Sequence, residues 1–122
     1  IYKREVLEML YIGEHVQERM SLLAITIEEL AYKTFMEPSE IDDIIRNKIA
    51  LEEIDELDLL LISNVLHCKP EYFYDEKVRN NDFLVNTMNR GNDTEDSRNV
   101  KVKIQDYIKD FIFVNEILAE EN

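Results

Sequence analysis

The sequence predicts an all-α fold, a five-helix domain followed by a C-terminal amphipathic helix. Three observations predict it. Two glycines and two prolines in 122 residues are too few turn residues for a β-sandwich or a Gly-rich nucleotide fold. Hydrophobic residues make up 45% of the chain, enough to build a core and too many for a disordered chain. The main apolar segments repeat at helical rather than alternating spacing.

Residues 1–11 read as helical through Val6, Leu7, Leu10 and Tyr11, and Gly13 separates them from the next helix. That helix, over 12–23, carries Val16, Met20 and Leu23 on one face. Thr26-Ile27-Glu28-Glu29 predicts a capping box that opens a second helix, ending near Thr34. Glu37-Pro38 opens a third, 38–47, because proline at the first helical position gives up an N–H that has no partner there. Ile41, Ile44 and Ile45 form its apolar stripe. Residues 51–66 predict a fourth helix, with Ile54, Leu57, Leu60, Leu61 and Val65 facing inward. Pro70 starts a fifth through Tyr72, Phe73 and Tyr74, and 77–88 is partly helical. Residues 89–99, polar and without an apolar anchor, predict a mobile linker. The last helix, 100–120, has one continuous apolar face of Val100, Ile104, Tyr107, Ile108, Phe111, Val114 and Leu118, widened by Ile112 and Phe113. The expected divisions are 1–82 as the helical domain, 83–99 as a partly helical segment and linker, and 100–122 as a helix for dimer or partner contact.

Two short helices joined by Phe35, Met36 and Glu37 describe a helix-turn-helix. The stretch from Ile25 to Thr34 resembles the first segment of that motif in the phage-repressor (XRE) family, and Met36 to Lys48 resembles its recognition segment. Leu66-His67-Cys68-Lys69-Pro70-Glu71-Tyr72-Phe73 resembles the family's closing turn. Ile12-Gly13-Glu14-His15 and Ile44-Ile45-Arg46-Asn47-Lys48 look most like HigA-type antitoxins. The likeness spans residues 12–82. It implies a lambda-repressor-like fold and a dimeric transcriptional regulator, with duplex DNA and a protein partner such as a toxin as what it binds. Position by position, it implies groove-facing roles for Glu37, Ser39, Glu40, Asp42 and Asp43, and phosphate contacts for Lys33, Thr34, Arg46, Asn47 and Lys48. Ile104, Tyr107, Ile108, Phe111, Val114 and Leu118 are the dimer or partner candidates.

The charge pattern pulls the other way. Lys plus Arg is 14 and Asp plus Glu is 27, a net charge of −13, which opposes non-specific attraction to phosphates. The groove-facing set holds four acids and no Arg, Lys, Gln or Asn, and Phe35 stands where the family's turn has glycine. These departures support a second expectation: a protein-interaction module on a repressor fold that no longer binds DNA.

Catalysis is not expected, because no phosphate loop, nucleophile elbow or HExxH motif occurs. His67-Cys68 has no second pair to complete a zinc site, and His15 is the only other histidine, so no metal or cofactor is expected. The acids between Glu52 and Asp58 lack EF-hand spacing. One cysteine, no apolar run of membrane-spanning length and no leader-like apolar stretch at Ile1-Tyr2-Lys3-Arg4-Glu5 lead to an expected cytoplasmic location.

Overall fold

The computed structural model describes residues 9–87 and 94–121, and all regular structure among them is helical. Helices α1 (Gly13–Leu23), α2 (Ile27–Thr34), α3 (Pro38–Ile45) and α4 (Glu56–Val65) enclose the core. A 3-10 turn, Leu51–Glu53, precedes α4, and a second, Pro70–Phe73, comes after it. Two short helices, α5 (Glu76–Asn80) and α6 (Phe83–Thr87), lead to the long α7 (Glu95–Glu121). Ile12, Val16, Met20, Leu30, Ile41, Ile44, Ile62 and Leu66 are buried together, and Tyr72, Phe73 and Leu84 close the same cluster. The fold is all-α and repressor-like, as the sequence predicts.

Several boundaries differ from the sequence expectations, each for a local reason. Residues 1–8 of the expected N-terminal helix lie outside the described residues. Residues 9–12 are not helical. There the Leu10 carbonyl accepts from Leu51 N–H at 2.8 Å, which ties the approach to α1 to the turn ahead of α4. The expected helix over 51–66 is two pieces. Asp55 Oδ1 accepts from Leu57 N–H at 2.8 Å and so starts a new helix. That restart rotates the apolar face: Ile62 and Leu66 are buried, whereas Leu57 and Leu60 are exposed. Pro70 opens a 3-10 turn rather than an α-helix. Residues 88–93, which include most of the first half of the expected linker, lie outside the described residues. α7 begins at Glu95, ahead of the expected start at Val100. Thr94 Oγ1 accepts from Ser97 N–H at 3.0 Å and caps that start.

With glycine scarce, the chain reverses direction on other residues. Ala24, Phe35, Asn47 and His67 all have positive φ, between 57° and 61°, and each lies just beyond the end of one of the first four helices. Left-handed backbone lets the next N–H bond back into the last turn, as when Ile25 N–H reaches Met20 O at 2.9 Å. Asn47 does more than turn: its Oδ1 accepts from Gly13 N–H at 3.1 Å, so the end of α3 caps the start of α1.

A buried cation holds the other end of the domain. Arg19, with 0% exposure, donates to Leu66 O and His67 O, each at 2.8 Å, and to Asp82 Oδ1 at 2.7 Å. Its guanidinium sits 4.7 Å from the Tyr72 ring centroid. Asp82 also accepts from Val85 N–H, capping α6, and from Gln105 Nε2 on α7. One ion pair therefore joins α1, the end of α4, the start of α6 and α7.

Candidate functional site

The helix-turn-helix edge is formed by α2 and α3. Thr26 Oγ1 caps α2 by accepting from Glu29 N–H at 3.1 Å. The expected reciprocal bond from Glu29 to the Thr26 amide is not among the contacts of Glu29, whose Oε2 instead pairs with Lys33 Nζ at 3.3 Å. α3 starts at Glu37, whose N–H donates to Glu40 Oε1 at 3.2 Å. Carboxylates at the N-terminus of α3 suit its positive dipole end and the orphan N–H groups there. The local stability of this helix thus draws on the same acids that discourage phosphate.

The predicted contact residues fall into three groups. Ser39 and Glu40 are exposed on α3, and Glu37 flanks them. Asp42 pairs with Arg46 at 3.0 Å and Asp43 with Lys48 at 3.9 Å. With Glu29–Lys33, all three cations expected to meet phosphate are already bridged to carboxylates of the same edge. Thr34 departs from the expectation: it is buried, and its hydroxyl donates to Leu30 O at 2.7 Å, so it belongs to the α2 interior. Asn47 departs in role, since its side-chain oxygen caps α1. The acidic character extends beyond α3. The carboxyl of Asp58 is pushed up from its ordinary value, by desolvation first and then by the charges of Asp55 and Glu40.

Two aromatic residues of α2 and its turn are exposed, and sequence spacing assigned neither to a surface. Tyr32 is 84% exposed and Phe35 is 90% exposed. The available signal was Phe35 itself, a bulky residue at the turn position that needs left-handed backbone.

The second surface is α7. This helix docks on the domain with a polar face. Lys101 donates to Thr87 O at 2.8 Å, and Gln105 donates to Asp82. Asp106 pairs with His67 at 2.7 Å, and Lys109 donates to Asn64 at 3.2 Å. Val100, Ile104, Tyr107, Phe111, Val114 and Leu118 lie on the opposite side and are exposed; Tyr107 is 71% and Phe111 60% exposed. These six alternate at spacings of four and three, the apolar repeat that coiled-coil helices use. Ile108 differs from the expectation: it turns partly inward and lines a groove beside α5 and α6.

No metal-holding cluster of His, Cys, Asp or Glu occurs among the described residues, and no described helix is long and apolar enough to cross a membrane. No protein-family model matches the chain. No curated protein matches it. Among solved structures, the chain is similar to a chain of a SinR protein/SinI protein complex, with 18% identity and a TM-score of 0.50 over 89% of this chain and 98% of that one. At that identity the likeness is one of fold, and the fold it shares is the repressor-like helix-turn-helix arrangement described above.

Proposed function

We propose that this chain is a helix-turn-helix transcriptional regulator that works as a dimer, placing α3 in the major groove of duplex DNA and pairing through α7. The observation that carries the reading is the α2–α3 edge itself, two crossed short helices with Ser39, Arg46 and Lys48 exposed along one side. The carboxylate pairs on that edge do not forbid phosphate contact. Exposed ion pairs contribute only about 0.2–1 kcal/mol, so Arg46 and Lys48 exchange a carboxylate for a phosphate at small cost. Single-edge affinity is nonetheless weak on a chain of net charge −13. A dimer compensates, because the second edge binds at high effective concentration once the first is seated. The exposed heptad seam of α7 supports pairing. The test is genomic DNA capture with sequencing at moderate salt. Parent protein should enrich discrete sites, and Arg46→Glu/Lys48→Glu should lose them with a flatter salt dependence. Equal enrichment by the double variant would remove α3 from the contact.

A second reading, a protein-interaction module, is favoured by one specific observation. Tyr32 and Phe35 are exposed aromatic residues on a strongly acidic chain, which suits a partner with a basic, apolar face. Partner binding of this kind is lost in Tyr32→Ala/Phe35→Ser and kept in Arg46→Glu/Lys48→Glu, the reverse of the DNA pattern. An antitoxin is a finer form of either reading, with a toxin in place of the second copy on α7; the mass of the purified assembly separates the two occupants.

A further inference from the structure

The groove between α7 and the α5–α6 pair is lined by none of the α2–α3 edge residues and by none of the six exposed seam residues of α7. Its volume is about 550 Å³, within the roughly 300–1,000 Å³ of ordinary small-molecule clefts. Phe83 from α6 and Ile108 and Ile112 from α7 give it apolar walls. Lys69, Lys77 and Lys109 also line it, an unusual convergence in a protein where acids outnumber bases 27 to 14. Of the two carboxylates in the lining, Asp82 is neutralised by Arg19, which leaves Glu71 against three ammonium groups.

The floor carries a further signal. Gln105 is 8% exposed, and its Oε1 is buried with no hydrogen-bond partner. The amide orientation is fixed by chemistry, because the Asp82 carboxylate can only accept and must face the Gln105 NH₂ group. A buried acceptor left unpaired is unfavourable, and the same residue lines the groove.

We propose that this groove binds a small amphipathic carboxylate, with an aromatic or branched apolar body against Phe83 and Ile108, its anion among the three lysines, and one N–H or O–H donor toward Gln105. Lys69 pairs with Glu116 at 3.7 Å and Lys109 with Asn64 at 3.2 Å, contacts weak enough to yield to a ligand anion. A molecule bound here touches both the domain and α7, and so holds the seam-bearing helix in place.

The probe is 1-anilinonaphthalene-8-sulfonate, which combines an anion, fused rings and one N–H. The full chain should bind it saturably, with affinity reduced about tenfold in Lys77→Glu/Lys109→Glu, the size of two reversed charge contacts. The uncharged analogue N-phenyl-1-naphthylamine should bind parent and variant alike. Phe111→Asp, on the far side of α7, should leave dye affinity unchanged. Unchanged affinity in the lysine variant overturns the proposal, as does loss of binding in Phe111→Asp, which places the dye on the exposed seam. Circular dichroism verifies that the variants fold, and Lys77→Gln/Lys109→Gln supplies a milder pair if charge reversal disturbs the helices. The dye readout is independent of DNA, so its failure leaves the regulator reading standing.

Discussion

Phe35 carries two opposed demands. Its backbone is left-handed at φ 61°, a conformation that costs a non-glycine residue about 1–2 kcal/mol, and its ring gains little burial in return. Phe35→Gly should therefore raise stability by about 1 kcal/mol, measured by urea unfolding, and an unchanged or lower midpoint would show the ring packing usefully. The same variant separates stability from function, since a partner that docks on the ring is lost as the fold is strengthened. Cys68 gives a pH prediction. Burial pushes its thiol up to about 12 from an ordinary 9.0. Below the unfolded value both states keep the proton. As pH rises from 9.0 toward about 12 only the unfolded state releases it, so stability falls by up to about 1.4 kcal/mol per pH unit. Tyr72 is also shifted upward by burial, so the thiol's share is the difference between the alkaline slopes of the parent and Cys68→Ala. Single residues were also the least legible from sequence. Arg19 sits among apolar neighbours in α1, yet nothing in its local pattern announces that the ends of α4 and α6 converge on it.

The helices themselves were largely legible, because Thr26, Pro38 and Pro70 mark starts through side-chain or ring chemistry that acts within one turn. Ends were harder. The usual glycine signal is absent at Ala24, Phe35, Asn47 and His67, which take the left-handed backbone in its place. The split before α4 was missed because Ile54, Leu57 and Leu61 satisfy a helical period straight through Asp55; the period alone cannot show which face is buried. Of the residues expected on the α2–α3 edge, Thr34 bonds back into its own helix and Asn47 caps α1, while Ser39, Glu40, Arg46 and Lys48 are exposed or only partly covered. What spacing could not show was that Lys33, Arg46 and Lys48 already have carboxylate partners. The junction of α1 and α3 yields an element-scale prediction. A Cβ on Gly13 would overlap the carbonyl oxygens of Ile44 and Ile45 and Oδ1 of Asn47. Gly13→Ala must push these helices apart and should cost about 1–3 kcal/mol in urea unfolding, the range of overpacking. A cost under a few tenths of a kcal/mol would mean that α1 and α3 slide freely, and with them the α3 edge.

At the scale of the whole molecule, two proposed associations respond to salt with opposite signs. Each chain carries −13, so two chains brought together along α7 repel through their net charge while the seam attracts through apolar burial. Added salt screens the repulsion and leaves the apolar term, so the dimer should tighten between about 0.05 and 0.5 M salt in sedimentation equilibrium, where the Debye length falls below about 10 Å. DNA binding gains from release of counterions at Arg46, Lys48 and Lys33, so it should weaken over the same range. Phe111→Asp separates the two effects, because it adds a charge to the middle of the seam far from α3. That variant should sediment as a monomer at every salt concentration. It should also bind DNA more weakly than the parent, with a shallower salt slope, since only one edge is then engaged. A variant that remains dimeric would show that α7 contributes no seam. One that becomes monomeric but binds DNA as tightly as the parent would show that each α2–α3 edge acts alone.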